Sequence, residues 1–525
     1  MRWSVASNLD RPRILAGAFI LTCLLIAPTG CSTPESEEPA PAPSFPGVKL
    51  TVGAVGDPAI LPGVSAQRGE WMASRKGEVV VASDAARTVA DADDLDVLVF
   101  PGTELGGLVD RDLLEEIPND VVLPPESDEG ARKPTEPDDD EAVEGDFRYN
   151  DIAPAFREQV SKYGTRRYAL PIGGSALVLV YRRDAFASDA NVKAAKEVGL
   201  ALEPPATWAQ LDALARFFQG RDWNGDGSPD FGISAALGPD PEGLADATFL
   251  ARAASLGQHR DHYSFLFDAD DLAPRLETPP FVEALGSLAA WKAAGPPGIE
   301  SFDASAARAA FREGKTAMLI DRAEKASGWS QVKSLAVAPL PGSERVYEPS
   351  RKAWDESGSI NRPTYLPQGG GWVVAVRRGL DEARREAAFN FALYLAEAGV
   401  ANRMLAERDF PMLPVRASQM GRGLPDPSSA PDVDPRSWSG AVSRTLMAER
   451  VLPGLRIPDA DGYLADLSGE RAAAMSGKPA EEALRAASAA WSARTAKHGR
   501  ARQLWHYRRS LNTLATLPEP PPRGE

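Results

Sequence analysis

Val48 to Val55 reads VKLTVGAV, and Asp96 to Pro101 reads DVLVFP. Short apolar runs like these suit strands of a buried parallel sheet better than exposed hairpins. Helical stretches lie between such runs. Pro205 to Gln219 reads PATWAQLDALARFFQ, which sets Trp208, Leu211, Leu214 and Phe217 or Phe218 at helical spacing, with Thr207 placed as N-cap. Phe281 to Ala293 and Glu382 to Ala396 repeat the three-to-four rhythm. Strands that alternate with helices imply an α/β protein.

The chain has 525 residues. At ~150 residues per domain this is about three domains' worth, or two large lobes plus tails. The net charge of −16 argues against nucleic-acid binding, which needs a basic surface. Only four histidines occur, His259, His262, His498 and His506, and no pair has HExxH spacing. The two cysteines, Cys23 and Cys31, leave everything after residue 31 without a thiol, so neither a disulfide scaffold nor a cysteine zinc site holds the body. There is no Gly-X-Ser-X-Gly elbow and no Gly-X4-Gly-Lys phosphate loop.

Arg2, Arg11 and Arg13 precede an uncharged run of 14 residues, Ile14 to Ala27. A spanning helix needs about 20 apolar residues, so the run reads as a signal-peptide core within residues 1–30. It ends in Ala27-Pro28-Thr29-Gly30-Cys31 and resembles a bacterial lipoprotein signal, although that pattern has an aliphatic residue where Pro28 stands. The resemblance implies lipidation of Cys31 and a membrane-anchored protein. Residues 31–47 then form a proline-rich linker too polar to bury a core. Within Glu126 to Asp146, ten acidic residues stand against Arg132 and Lys133, a net −8. This reads as a solvated surface insertion, 126–146.

Eight phrases occur in an order that resembles the extracellular solute-binding proteins of ABC importers, in the sugar-binding group that includes maltose-binding protein. They are KLTVGAVGDPA from Lys49, DVLVFPGTELGGL from Asp96, RYALPIGGSALVLVYRRDAF from Arg167, PPATWAQL from Pro204, FREGKTAMLIDRAEKASGW from Phe311, VAPLPG from Val337, GGGWVVAV with AAFNFALYL from Gly369 and Ala387, and GYLADLSGERAAAMSGKPAEEALRAASAAW from Gly462. The resemblance implies a two-lobed periplasmic-binding-protein-like (type II) α/β fold, with hinge crossings and a ligand cleft between the lobes. Mapped onto this chain, lobe 1 is 48–168 plus 298–338 and lobe 2 is 169–297 plus 340–493. The tail 494–525 lies outside the pattern, and Trp505, Tyr507 and Leu511 are placed to pack it onto the body as a further helix.

The implied function is capture of a small solute, a carbohydrate above all, for the permease of an ABC importer. The protein would act as a monomer on the periplasmic or extracellular face of the bacterial membrane. The implied protein is no enzyme and requires no cofactor. Two alternatives stand beside it: a secreted carbohydrate-active enzyme, since any two of 74 acids could meet as a catalytic pair, and a ligand-sensing subunit of a signalling system.

Ligand sites in open α/β sheets lie outside the carboxyl ends of strands. Candidates are therefore Asp57 after the first strand, Gly102, Thr103 and Glu104 after the second, Gly173 and Gly174, Asp321 with Arg322, and Gly370. Sugars present apolar C–H faces beside hydroxyls and want an aromatic platform; Trp329, Trp372 and Tyr463 are the aromatic candidates. Trp208, Trp291 and Trp491 sit at helical spacing and read as core, and Tyr181 and Asp184 as structural. A separate pattern, RDWNGDGSPD from Arg221, sets Asp222, Asn224 and Asp226 at alternate positions, with Gly227, Ser228 and Asp230 following. This is the front half of a calcium loop, without the closing Glu, since Ile233 occupies the twelfth position. The other reading is an Asx-rich turn that needs no metal.

Overall fold

The computed structural model describes residues 43–82, 85–122, 147–329, 332–407, 411–421, 432–512 and 520–522. The signal peptide, Cys31, most of the linker and the acidic insertion lie outside the described residues. Nine strands build the two main sheets: β1 (Lys49–Ala54), β2 (Glu78–Val81), β3 (Val97–Pro101), β4 (Leu170–Gly174), β5 (Leu177–Arg182), β6 (Phe231–Ser234), β7 (Thr316–Arg322), β8 (Leu335–Pro339) and β9 (Gly371–Val376). The first sheet has the order β2-β1-β3-β9-β4, parallel through β2, β1 and β3 and antiparallel on either side of β9. The second has the order β8-β5-β7-β6, with only β6 and β7 parallel.

This pairing corrects the division of the chain drawn from sequence. Residues 298–338 were expected in lobe 1, yet β7 and β8 flank β5 in the second sheet. Residues 340–493 were expected in lobe 2, yet β9 lies between β3 and β4 in the first. The reason is apolar demand. β9 reads GWVVAV and is buried throughout, so it needs a central place with cover on both faces. Full burial is worth about 1.5–3 kcal/mol for each of Val373, Val374 and Val376. β4 also belongs to the first sheet, so the chain first crosses between sheets at Gly174 to Leu177. It returns through residues 340–370. A two-residue parallel pair, Thr364–Tyr365 with Val451–Leu452, lies on that return path.

There are two apolar cores. One gathers β1, β3, β4 and β9 with the helix Glu382–Ala396, and it also takes one face of the second sheet (Val178, Val180, Leu319, Leu335 and Val337), where the helix Pro435–Leu446 packs on β8. The other gathers the helices Trp208–Phe218, Leu244–Gly257, Pro279–Ala289, Ala460–Met475 and Ala480–His498 around β6 and β7. The helix at Trp208 begins where the sequence places it. The Thr207 hydroxyl accepts from Gln210 N at 3.2 Å and the Gln210 side chain accepts from Thr207 N at 3.2 Å, a reciprocal cap. Trp208, Trp291 and Trp491 are core residues. The tail does form a helix, Arg500–Ser510, with Trp505 and Tyr507 buried. Among the described residues no helix is long and apolar enough to cross a membrane.

Candidate functional site

The chain ends of β3, β6 and β7 converge on a cavity of about 340 Å³. That is at the small end of the roughly 300–1,000 Å³ range of small-molecule pockets. Thr103 reaches it from the turn after β3, Glu242 from the loop after β6 and Arg322 from the end of β7. Tyr365 and Gln368 reach it from the crossing segment, and Asp461 from the first turn of the helix Ala460–Met475. Both sheets therefore contribute walls.

The backbone at the cleft floor is unusual. Gln368, Gly369, Gly370 and Gly371 have φ of 54°, 68°, 105° and 128°, all in territory that favours glycine. Gly102 and Gly369 meet there backbone to backbone. A Cβ on Gly102 would lie 2.3 Å from the Gly369 carbonyl oxygen, and a Cβ on Gly369 would lie 2.2 Å from Thr103 N. Only glycine lets these two segments approach so closely, and their contact aims Thr103 and Gln368 into the cavity. Gln368 pays for its position in strain, as residues at binding sites often do.

Charge in the cleft is uneven. Glu242 is held by Arg308 at 2.7 and 3.0 Å, and Asp246 by Arg471 at 2.5 Å. Asp240 accepts from the amides of Glu242, Ala245 and Ala304. Asp461 instead faces Glu104, carboxyl to carboxyl. Burial first, then the charge and hydrogen bond of Asp461, push Glu104 up to about 8. Burial raises Asp461 as well, with a smaller push from Asp459, against the hydrogen bond from Glu104 that lowers it. At neutral pH the pair therefore holds a shared proton. Arg322 is only 5% exposed; one Nη donates to the Glu242 carbonyl, while Nε has no partner among the described residues.

Of the residues singled out from sequence, Thr103 and Arg322 line the cavity, and Glu104 stands behind Asp461. Gly102 packs against Gly369 and Gly370 against Val160, and neither lines the cavity itself. Gly173 and Gly174 pair with β9 and with the segment at Leu413, where Gly174 exchanges both backbone hydrogen bonds at 2.7 and 2.8 Å. Asp57 caps its own loop, accepting from Ala59 N at 2.9 Å. The remaining expectations are corrected. Asp321 is fully buried, gripped by Arg308 at 2.7 Å through two bonds, and it accepts from the Trp329 indole at 2.7 Å. Trp329 is therefore a core residue. Trp372 is 1% exposed and donates to the Pro411 carbonyl at 3.0 Å. Tyr463 is fully buried, its hydroxyl 2.9 Å from that of Thr495. Their indole and phenol groups find partners inside the core, which large aromatics with polar tips require. None of the three lines the cavity. Its aromatic wall is Tyr365, which the sequence reading missed along with Gln368 and Asp461. The Pro-bounded phrase Arg362-Pro363-Thr364-Tyr365-Leu366-Pro367 was the available signal.

The loop of Asp222 lies at the start of β6. Asp222 accepts from Gly225 N at 2.8 Å and Gly227 N at 3.0 Å, and Asp226 accepts from Ser228 N at 2.8 Å. The Asn224 side-chain nitrogen lies 3.2 Å from Asp226 and 3.1 Å from Asp230, so three side chains converge on one point. Burial first, and the charges of Asp226 and Asp222, raise Asp230 to about 6 against the pull of the loop amides. Among the described residues, however, no three His, Cys, Asp or Glu side chains are gathered as a metal needs. Asn224 and backbone carbonyls would have to complete any shell.

Residues 80–419 match the family model for bacterial extracellular solute-binding proteins. Among curated proteins none is similar to this chain. Solved structures share the two-lobed fold. One is an ABC transporter solute binding protein from Agrobacterium radiobacter K84 in complex with ribitol, 18% identical, TM-score 0.59, covering 85% of this chain and 98% of that one. A second, from Agrobacterium vitis S4 with bound D-mannitol, is 17% identical at TM-score 0.55, covering 85% and 98%. A third, maltose-bound MalE3 of T. maritima, is 16% identical at TM-score 0.54, covering 85% and 99%. A cleft built by two sheets, and a family match across most of the residues that build it, lead to one conclusion: this chain belongs to the bacterial extracellular solute-binding proteins.

Proposed function

We propose that the protein captures a small carbohydrate or polyol in this cleft and delivers it to the permease of an ABC importer. The observation that carries the reading is the cavity itself: small, walled by both sheets, and mixing Tyr365 with carboxylates and Arg322. The ribitol, mannitol and maltose held by proteins of the same fold agree with it. Glycoside hydrolysis is the weaker reading, because Glu104 and Asp461 stand within hydrogen-bond reach. Catalytic carboxyl pairs need about 5 Å or more between them. Thermal shift against a panel of sugars and polyols tests capture, since a ligand that binds only the folded state raises Tm. No shift with any of them, or turnover of a glycan, would count against it. Co-purification with a permease encoded beside the gene separates importer from sensor.

Two finer points belong to the same reading. Lipid on Cys31 would hold the body at the membrane through the linker; Cys31→Ala should then release the protein from the membrane fraction, and a variant that stays bound sinks the anchor. Calcium at Asp222, Asn224, Asp226, Ser228 and Asp230 would be structural, set in a loop whose residues do not line the cleft cavity.

A further inference from the structure

Tyr365 walls a second cavity besides the cleft, of about 230 Å³. Both crossings bound it: Leu177 stands where the first one ends, and Leu340, Pro341 and Arg362 lie on the return. A further side is the helix Pro435–Leu446, which packs on β8 and brings Arg444. The charge here is the reverse of the cleft's. Among the described residues that line this cavity two are arginines and none is an acid, in a chain with 74 acids against 58 bases. Arginines elsewhere hold carboxylates: Arg252 holds Asp212 at 2.6 Å, Arg345 holds Glu283 at 2.7 Å and Arg494 holds Asp459 at 2.6 Å. Arg362 and Arg444 hold none among the described residues. One Nη of Arg362 donates to the Ala206 carbonyl at 2.9 Å, and the Arg444 guanidinium has no hydrogen-bond partner there. Both residues stay open to solvent, so a ligand can reach them. Their charges also repel: partial enclosure first, and the charge of Arg444 second, lower Arg362 below the ordinary arginine value.

We infer that this cavity between the crossings is a second ligand site, for a small organic anion whose carboxylate or phosphate oxygens bridge the Arg362 and Arg444 guanidiniums. Such an anion removes the repulsion between the two forks and supplies the acceptors they lack. Guanidiniums match carboxylate and phosphate oxygens in pairs, and hydrogen bonds between opposite charges are the strong ones. The remaining wall fits the body of the ligand. Pro339, Pro341 and Pro363 present apolar surface and no N–H, and Leu340 and Tyr365 extend it. The volume lies below the roughly 300–1,000 Å³ of drug-sized pockets, so the ligand is compact, a few carbons with one or two acidic groups. It is not the solute of the cleft, because that cavity carries Asp240, Glu242, Asp246 and Asp461 and repels an anion. The site therefore stands whether or not the solute is a carbohydrate.

Calorimetry on the full chain tests this with three probes, inorganic phosphate, glycerol 3-phosphate and succinate, at one ionic strength set with sodium chloride. At least one should bind once per chain with a Kd below about 1 mM. Tighter binding of the two phosphates marks a phosphoryl group as the anion, and tighter binding of succinate marks a carboxylate. Arg362→Gln and Arg444→Gln should each weaken the best probe about tenfold, and the double variant about a hundredfold. Arg444 has no side-chain partner to lose, so its variant is the decisive one, and melting in chloride alone confirms that each variant folds. Arg312→Gln, at the exposed end of the helix Ala304–Arg312, removes the same charge away from the cavity and should change Kd less than about twofold. If none of the probes saturates, if Arg444→Gln and the double variant bind as the wild type does, or if Arg312→Gln weakens binding as much as they do, the inference falls. Carbohydrate capture in the cleft would be untouched by that result.

Discussion

Asp321 and Arg322 are neighbours in β7 with opposite fates. Successive side chains of a strand point to opposite faces, so Asp321 turns to Arg308 and Trp329 in the interior while Arg322 turns to the cleft. The sequence marked both positions as the end of a strand, and that much was legible. It could not show that Arg308 and Trp329 would claim the carboxylate, because those partners meet it only through the fold. Removing one member of a buried ion pair costs about 3–5 kcal/mol, and since Arg308 keeps Glu242, Asp321→Asn should cost about 3 kcal/mol by denaturant unfolding. A loss below 1 kcal/mol would mean the network is not buried as described. Glu104 should behave in the opposite way. Its folded value, about 8, lies above the ordinary 4.5, so stability is fully present below about 4.5 and is lost as the pH rises through 8. Glu104→Gln should therefore melt close to the wild type at pH 4 and above it at pH 9. Parallel melting curves across that range would remove the buried acid pair.

Elements were easier to read than residues. β1, β3 and the helix Trp208–Phe218 fell where periodicity and the Thr207 cap put them, because those signals are local. Sheet membership was not legible. β9, which begins at the third of three glycines, pairs with residues 197 or more positions earlier, and no local pattern encodes that choice. The loop at Asp222 sits between these cases: its spacing is local, but its occupant is not. Asp230, at about 6, is raised above the ordinary 3.8, so its burden on stability grows as the pH climbs from about 4 to 6 and is complete at pH 7. A cation among Asp222, Asn224, Asp226 and Asp230 would remove that burden. Calcium added to exhaustively chelated protein at pH 7 should then raise Tm and release heat, and Asp230→Asn should raise Tm in chelator while abolishing the calcium response. No heat and no change in Tm would leave a turn held by its Asx hydrogen bonds alone.

At the scale of the molecule, the helix Arg500–Ser510 joins what the two sheets divide. His506 is 1% exposed; its Nδ1 lies 3.1 Å from the Tyr163 hydroxyl and its Nε2 lies 2.8 Å from Asp110, both on the first core's side. One residue on, the Tyr507 hydroxyl lies 3.1 Å from Ser264 Oγ and accepts from Phe267 N at 3.2 Å, within the second core. Arg456, buried enough to be lowered to about 10, gives an Nη to the Ser510 carbonyl at 2.6 Å. The helix is thus a brace across both cores. Burial raises Asp110, but hydrogen bonds from His506 and Arg502 outweigh it and hold the carboxyl at about 2; burial in turn lowers His506 below its ordinary range. Both shifts act in one direction. The Asp110 contribution is present above about 3.8 and lost as the pH falls toward 2, and an imidazole kept neutral in the fold loses stability as the pH drops below about 6.5. His506→Ala leaves Asp110 with Arg502 and the Tyr163 hydroxyl with the residue-506 carbonyl at 3.0 Å, but it removes the imidazole's hydrogen bond to a buried carboxylate, and a hydrogen bond to a charged group is worth about 1.5–3 kcal/mol. The variant should therefore melt several degrees lower at pH 7, and the gap should narrow below pH 6, where the wild type loses its advantage. Ending the chain at Gly499 should do more: it uncovers Arg456, Tyr163 and Phe267 together and removes a helix that touches both cores. Calorimetry of that truncation should show a lower Tm and a split of the single transition into two, one for each core. A truncated chain that melts in one step at the wild-type temperature would show that the brace carries no load.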